Sequence, residues 1–235
     1  MAASGRIYPT EQPRAASGRG PHSWPCFPGL DPGDRCELGT ITGKIVSCIP
    51  SGLNMPEYIT VVPYDAEWPE LFRRLGRELR AALQGLANRI DHIGSTSVSG
   101  MSAKPILDIQ ISVACLEPMG SYKPSLESLG FDWRVNNPDL TKRYFREISG
   151  PQRIHIHVRQ SGSWGEQFSL LFRDYMRTHP EDAAAYSALK HRLAGEHRTN
   201  RQAYVDAKGP FIWAVMRAAT EWSQATGWQP GISDA

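Results

Sequence analysis

No stretch of this sequence holds the roughly 18 consecutive apolar residues that a membrane-spanning helix needs, so it offers no candidate span and no membrane partner is expected. Cysteine is scarce. The four cysteines stand at positions 26, 36, 48 and 115 with no C-x-x-C pair, which excludes a paired-cysteine zinc site and a disulfide-stapled scaffold. The expectation is reduced thiols in a cytoplasmic protein. Excess charge of one sign is missing as well: 26 Lys+Arg stand against 24 Asp+Glu, a net charge of +2. That is far from the basic excess of a general nucleic-acid binder, so any anion site must come from local clustering. Internal repeats are absent, and the positive start is not followed by the continuous apolar segment of a secretory signal. A length of 235 residues suits about one domain with an appendage.

What is present divides unevenly. The first 56 residues hold 8 Pro and 8 Gly, and their short apolar pieces bury too little surface to offset chain entropy. Residues 1–56 are therefore expected to be disordered or a non-native extension, with Met55 standing just before the first well-patterned segment. Residues 57–235 are expected to form the folded domain. There Tyr58 to Val62 is β-branched and reads as a strand or extended lead-in. Asp65 can cap a helix whose apolar series runs Trp68, Leu71, Phe72, Leu75, Leu79, Ala82, Leu83 and Leu86.

Arg89 to Ile93 reads as a short strand, Gly94 to Gly100 as a loop of small residues, and Pro105 to Val113 as a clear strand. Alternation sends Leu107, Ile109, Ile111 and Val113 to one face, and Asp108, Gln110 and Ser112 to the other. A short helix ending at Gly130, a strand from Phe131, and a hairpin of Thr141 to Ile148 with Arg153 to Arg159 complete a sheet. Three helices follow: one carrying Phe168 to Tyr175, one from Pro180 with Ala184, Leu189 and Leu193 on its apolar side, and one carrying Phe211 to Trp222. A mixed sheet flanked by helices and followed by a helical segment is an α+β architecture, not an alternating parallel one.

The densest local signal runs from His92 to Gln110. A Gly-Ser turn after a strand exposes backbone N–H groups that can cradle phosphate oxygens. Gly94, Ser95, Thr96, Ser97 and Lys104 are candidate phosphate contacts, and Asp108 is the carboxylate that can hold Mg²⁺. A plain connecting turn is the ordinary reading of the same loop. On the second hairpin strand Arg153, His155, His157 and Arg159 share one face, which suits a polyanion or is a solvated outer face. Further on, Arg201, Tyr204 and Lys208 fall near one helical face and can close over a nucleotide or simply face water; Lys190 belongs to the same downstream group of cations. Arg143 and Gln110 complete the candidate phosphate set. Arg173 and Asp174 form either a local ion pair or a buried bridge, and His92, Trp133 and Tyr144 read as packing residues.

The runs ITVVPYDAEWPELF, HIGSTSVSGMSAKPILDIQISV, IHIHV, LLFRDYMRTHP and YVDAKGPFI, in that set and order along residues 57–222, resemble the GrpB family. The resemblance implies a nucleotidyltransferase-superfamily fold, and a tie to coenzyme A biosynthesis through the family's fusion to dephospho-CoA kinase. It makes Gly94 and Ser95 the phosphate turn, Asp108 the first carboxylate, and Tyr204 with Lys208 the family's Tyr-x-x-x-Lys pair.

One departure stands out. Gln110 occupies the place of the second carboxylate and the later strand offers His155 and His157, so three carboxylates cannot cage two metals here. His155 and His157 then become candidate catalytic groups. The leading expectation is a protein that binds a Mg²⁺–nucleoside triphosphate and transfers a nucleotidyl group to, or activates, a small-molecule acceptor. The alternative is a catalytically silent nucleotide- or CoA-binding module acting through a protein partner. An interaction protein built on the helical segment is a third reading, while nothing supports template binding by a polymerase.

Overall fold

The spacing Trp68, Phe72, Leu75, Leu79, Leu83 puts five apolar side chains on one stripe of α1 (Glu67–Leu83), and all five are buried. Full burial of each such side chain contributes about 2 kcal/mol. The computed structural model describes residues 58–235; the expected extension, residues 1–56, lies outside the described residues. Asp65 starts α1 through its Oδ1, which accepts from the Glu67 N–H at 2.9 Å. The helix stops one turn before Leu86: Gln84 adopts φ +50°, and Leu86 is left 43% exposed instead of extending the stripe.

The sheet has five strands in the order β1-β2-β5-β4-β3: β1 (Ala87–Ile93), β2 (Ile106–Val113), β3 (Phe131–Trp133), β4 (Lys142–Glu147) and β5 (Arg153–Gln160). Only the β2–β5 pair is parallel; the other neighbours are antiparallel. The Tyr58–Val62 lead-in contributes one bridge, Val62 to Ala103. A short α2 (Lys123–Ser128) enters β3 through Gly130.

Alternation then builds two unlike faces. Leu107, Ile109, Ile111, Phe145, Ile156 and Val158 are buried against α1 and α2 in one apolar core. The opposite face carries Asp108, Gln110 and Ser112 in register with His155, His157 and Arg159.

That second face is covered by α3 (Trp164–Thr178), α4 (Pro180–Glu196) and α5 (Arg201–Thr226), whose own core includes Tyr175, Met176, Tyr186, Val215 and Ala219 with Val98 and Met101 of the loop after β1. The α+β order expected from the sequence is the order found. The buried side of α4 runs Ala183, Tyr186, Lys190, Leu193, while Ala184 is exposed, so the helix is turned by about one residue from the apolar reading. Ser233 to Ala235 pair along the free edge of β1: Ala235 N–H donates to Ile90 O at 3.1 Å, and His92 N–H donates to Asp234 Oδ2 at 3.0 Å. An edge strand covered in this way offers no open ladder to another chain. No helix of the described residues is long and apolar enough to cross a membrane.

Candidate functional site

Gly94 ends β1 at φ +70°, ψ −171°, a conformation open essentially to glycine. It also stands so close to β2 that a Cβ on it would lie 2.7 Å from Asp108 Oδ2. The glycine thus admits the carboxylate into the space beside the turn. The hydroxyls that follow have separate duties. Ser95 Oγ accepts from Lys190 Nζ at 2.8 Å. Thr96 Oγ1 donates to Ile106 O at 3.2 Å and meets His92 Nε2 at 3.0 Å, while Ser97 Oγ closes the turn on Gly94 O at 2.6 Å. Ser95 and Thr96 line the cavity described next; Ser97 is turned inward. Burial, with Arg177 next in effect, pushes the His92 imidazole down to about 3. His92 is therefore a neutral packing group stacked on Phe72, with ring centroids 5.0 Å apart.

A cavity of about 210 Å³ lies between this turn, the sheet face and helices α4 and α5. Its walls hold four cations, Lys104, Lys190, Arg201 and Lys208, against a single carboxylate, Asp108. Lys190 is only 3% exposed; burial, aided by the nearby Lys208 charge, pushes its ammonium down to about 7. Lys208 is pushed down to about 8 by burial first and Lys104 second. The Tyr204 ring lies between two of them, 4.7 Å from Lys208 Nζ and 5.9 Å from Lys104 Nζ. Desolvated like charges held together favour a bound anion, which restores to each ammonium the stabilisation lost with water.

On the sheet, Asp108 Oδ1 lies 3.3 Å from His155 Nδ1 and 3.3 Å from His157 Nε2. Burial alone would raise the Asp108 carboxyl, but hydrogen bonds from the two imidazoles outweigh it and hold the group well below the usual carboxylate range. Burial lowers His157 despite the neighbouring carboxylate, which favours its neutral form. Tyr144 packs against both rings, with centroids 5.4 and 5.2 Å away, and burial pushes its phenol up to about 12.

The remaining candidates scatter. Arg143 faces the other side of the sheet, opposite Val158 in register, and binds Glu117 Oε1 at 2.7 Å; one step along a strand reverses a side chain, and that step takes it away from Asp108. Gln110 is fully buried beneath α3, its amide donating to Glu166 O at 3.3 Å. Arg153 lines an adjoining cavity of about 390 Å³ that shares Lys104, Ile106 and Arg201 with the first. Arg159 turns to Thr141 and Asp139, at 3.0 and 3.4 Å. The basic row on β5 is therefore neither a continuous polyanion face nor an open solvated one.

Arg173 is a buried bridge: its guanidinium reaches Asp91 at 3.2 Å, Asp234 at 2.9 Å and Asp174 at 2.7 Å, tying α3 to β1 and the terminal segment. Arg201 lines the cavity beside Tyr204 and Lys208, and Lys190, which the sequence places among the downstream cations with no site role, lines it too. Lys190 comes from the middle of a buried helix stripe, where a lysine gives no periodic signal.

A protein-family model described as GrpB protein matches residues 58–218. A UPF0157 protein of Halalkalibacterium halodurans is 36% identical over 162 residues, covering 68% of this chain and 82% of that protein. A dephospho-CoA kinase of Mycolicibacterium paratuberculosis is 33% identical over 199 residues, 73% of this chain but 48% of that protein, so the chain spans about half of that relative's length. Among solved structures, the conserved protein GrpB from Enterococcus faecalis aligns at a TM-score of 0.64 and 30% identity, over 70% of this chain and 99% of that one.

Proposed function

The chain belongs to the GrpB family, and from that premise we propose that it binds a nucleoside triphosphate by its phosphates and transfers the nucleotidyl group to, or activates, a small-molecule acceptor. The observation that carries the reading is the cavity in which Lys104, Lys190, Arg201 and Lys208 surround the Gly94–Ser95 turn. Four donors of positive charge match a triphosphate, and cations at this cavity would stabilise the charge that pyrophosphate accumulates on leaving. Attack by an acceptor oxygen on the α-phosphorus would form the new P–O bond as the bond to the β-phosphate oxygen breaks.

The Mg²⁺ implied by the resemblance finds one carboxylate here, Asp108, flanked by two imidazoles that are poor Mg²⁺ ligands. The charge compensation therefore falls to the cations of α4, α5 and the β1–β2 loop. Gln110 and the two histidines favour the second reading, a binding module that has lost turnover and acts through a partner. Relatives named dephospho-CoA kinase make coenzyme A metabolism the setting in which to look for that partner or for the acceptor.

The test is a melting-temperature titration with ATP, GTP, CTP and UTP, with and without Mg²⁺, followed by an assay for pyrophosphate release. A shift lost in Lys208→Ala supports the cavity as the phosphate site. Turnover that stops in Asp108→Asn supports transfer, and binding without turnover supports the silent module. No shift with any triphosphate at millimolar concentration removes the transfer reading, and no shift with coenzyme A either removes the silent module as well.

A further inference from the structure

We propose that Asp108, His155 and His157 form a binding site for a divalent first-row transition metal whose open coordination position faces the cationic cavity. One carboxylate oxygen and two imidazole nitrogens are a nitrogen-rich donor set, suited to zinc, iron, cobalt or manganese and unsuited to Mg²⁺, which takes oxygen ligands in a regular octahedron. The inference goes beyond the nucleotide reading and does not depend on it.

The backbone builds the set without strain. Asp108 and His155 are register partners on adjacent parallel strands, and His157 is two residues on along the same face, so the three side chains rise from neighbouring positions on one sheet surface. Their separations are informative. Both imidazole nitrogens stand 3.3 Å from Asp108 Oδ1, longer than the about 2.7–2.9 Å of a charge-assisted N–H···O⁻ bond. Two ligands about 2.1 Å from one ion and about 105° apart lie about 3.3 Å from each other.

The third edge of the triangle, between the two imidazole nitrogens, is at most 4.8 Å. Closing it to about 3.3 Å requires the rings to approach by at most about 1.5 Å, within reach of the broad His χ2 well. His155 Nε2 is buried without a hydrogen-bond partner, so the ring is not held in place from its far side. Asp108 and His155 also line the cavity, which leaves a face of the site open, the arrangement of a catalytic rather than a structural metal centre. The surrounding lysines make an anion the natural fourth ligand.

Co²⁺ titration of the full chain, read by visible absorption, tests the proposal. The expected result is one equivalent bound with the intense ligand-field bands of a four- or five-coordinate ion. Zn²⁺ should abolish them and excess Mg²⁺ should leave them. Asp108→Asn and His157→Gln should each lose the bands while circular dichroism shows the fold retained. Bands unchanged in both folded variants, bands displaced by Mg²⁺ at equal concentration, sulfur-to-cobalt charge transfer in the near ultraviolet, or no bands at all would each overturn it. A nucleotide titration in excess chelator separates this site from the nucleotide reading: cobalt bands without any nucleotide shift would retire that reading and leave the metal site standing.

Discussion

Replacing Lys190 by methionine should stabilise the empty protein near neutral pH and weaken its response to triphosphate, two effects of opposite sign from one side chain. The ammonium is 3% exposed and pushed from 10.5 to about 7, by burial first and Lys208 second. A displacement of that size corresponds to about 5 kcal/mol for carrying the charge in the empty cavity. The group titrates lower in the folded chain than in the unfolded one, so the unfolded chain binds more protons between those two values. The penalty is therefore complete below about pH 7 and fades as pH rises toward 10.5. Between pH 7 and 9 the wild type should recover about 2 kcal/mol relative to Lys190→Met, which in a domain of this size is about 4–8 °C in Tm.

A bound triphosphate reverses the balance, because it restores the charged form; its stabilising effect should be largest near pH 7 and shrink toward pH 9. Melting curves of both proteins across this range, with and without ATP, measure all four quantities. A gap between wild type and variant that stays constant with pH, or a nucleotide shift that survives intact in the variant at pH 7, would refute the reasoning.

Four further substitutions separate close approach, buried charge and surface charge. Gly94→Ala places a Cβ 2.7 Å from Asp108 Oδ2 at φ +70° and should cost about 3 kcal/mol in urea unfolding. Gly100→Ala, at φ +76° but with nothing within 4 Å, should cost only about 1 kcal/mol; equal losses would deny the Asp108 contact its role. Arg173→Ala strips a fully buried Asp91 of one partner, Arg89 remaining at 2.9 Å, and should destabilise by about 3 kcal/mol. Its residual folded fraction should still bind nucleotide, since none of its contacts reach the cavity. Arg143→Ala, whose side chain binds Glu117 on the opposite face, should leave the nucleotide-induced shift unchanged in a thermal titration.

The fold was legible because its signals are local. Period-two alternation in β2 separates Leu107, Ile109 and Ile111 from Asp108, Gln110 and Ser112, and burial follows that division on the core face. It was less informative on the other face, because alternation states which side a residue takes and not what will cover it. Gln110 and Ser112 are fully buried there, Gln110 beneath α3 with its amide on Glu166 O. The same limit affected Arg143, whose side of β4 depends on a register that only the pairing of Arg143 with Val158 fixes.

The cavity was harder to read because it is assembled from helices far along the chain. On α4 the buried stripe is Ala183, Tyr186, Lys190, Leu193, and a lysine in its centre erases the apolar period that would have revealed it. Its burial makes physical sense only once the site's charge is counted. A cage of three carboxylates is anionic and needs metal ions before a triphosphate can approach. Here Gln110 lies beneath α3, two imidazoles flank Asp108, and that one carboxylate faces four cations. With the lysines protonated the charges of the cavity sum to +3, a field that favours an anion. A substitution that places a carboxylate at position 110 would have to displace α3 to reach the cavity, since the Gln110 amide is fixed on Glu166 O at 3.3 Å.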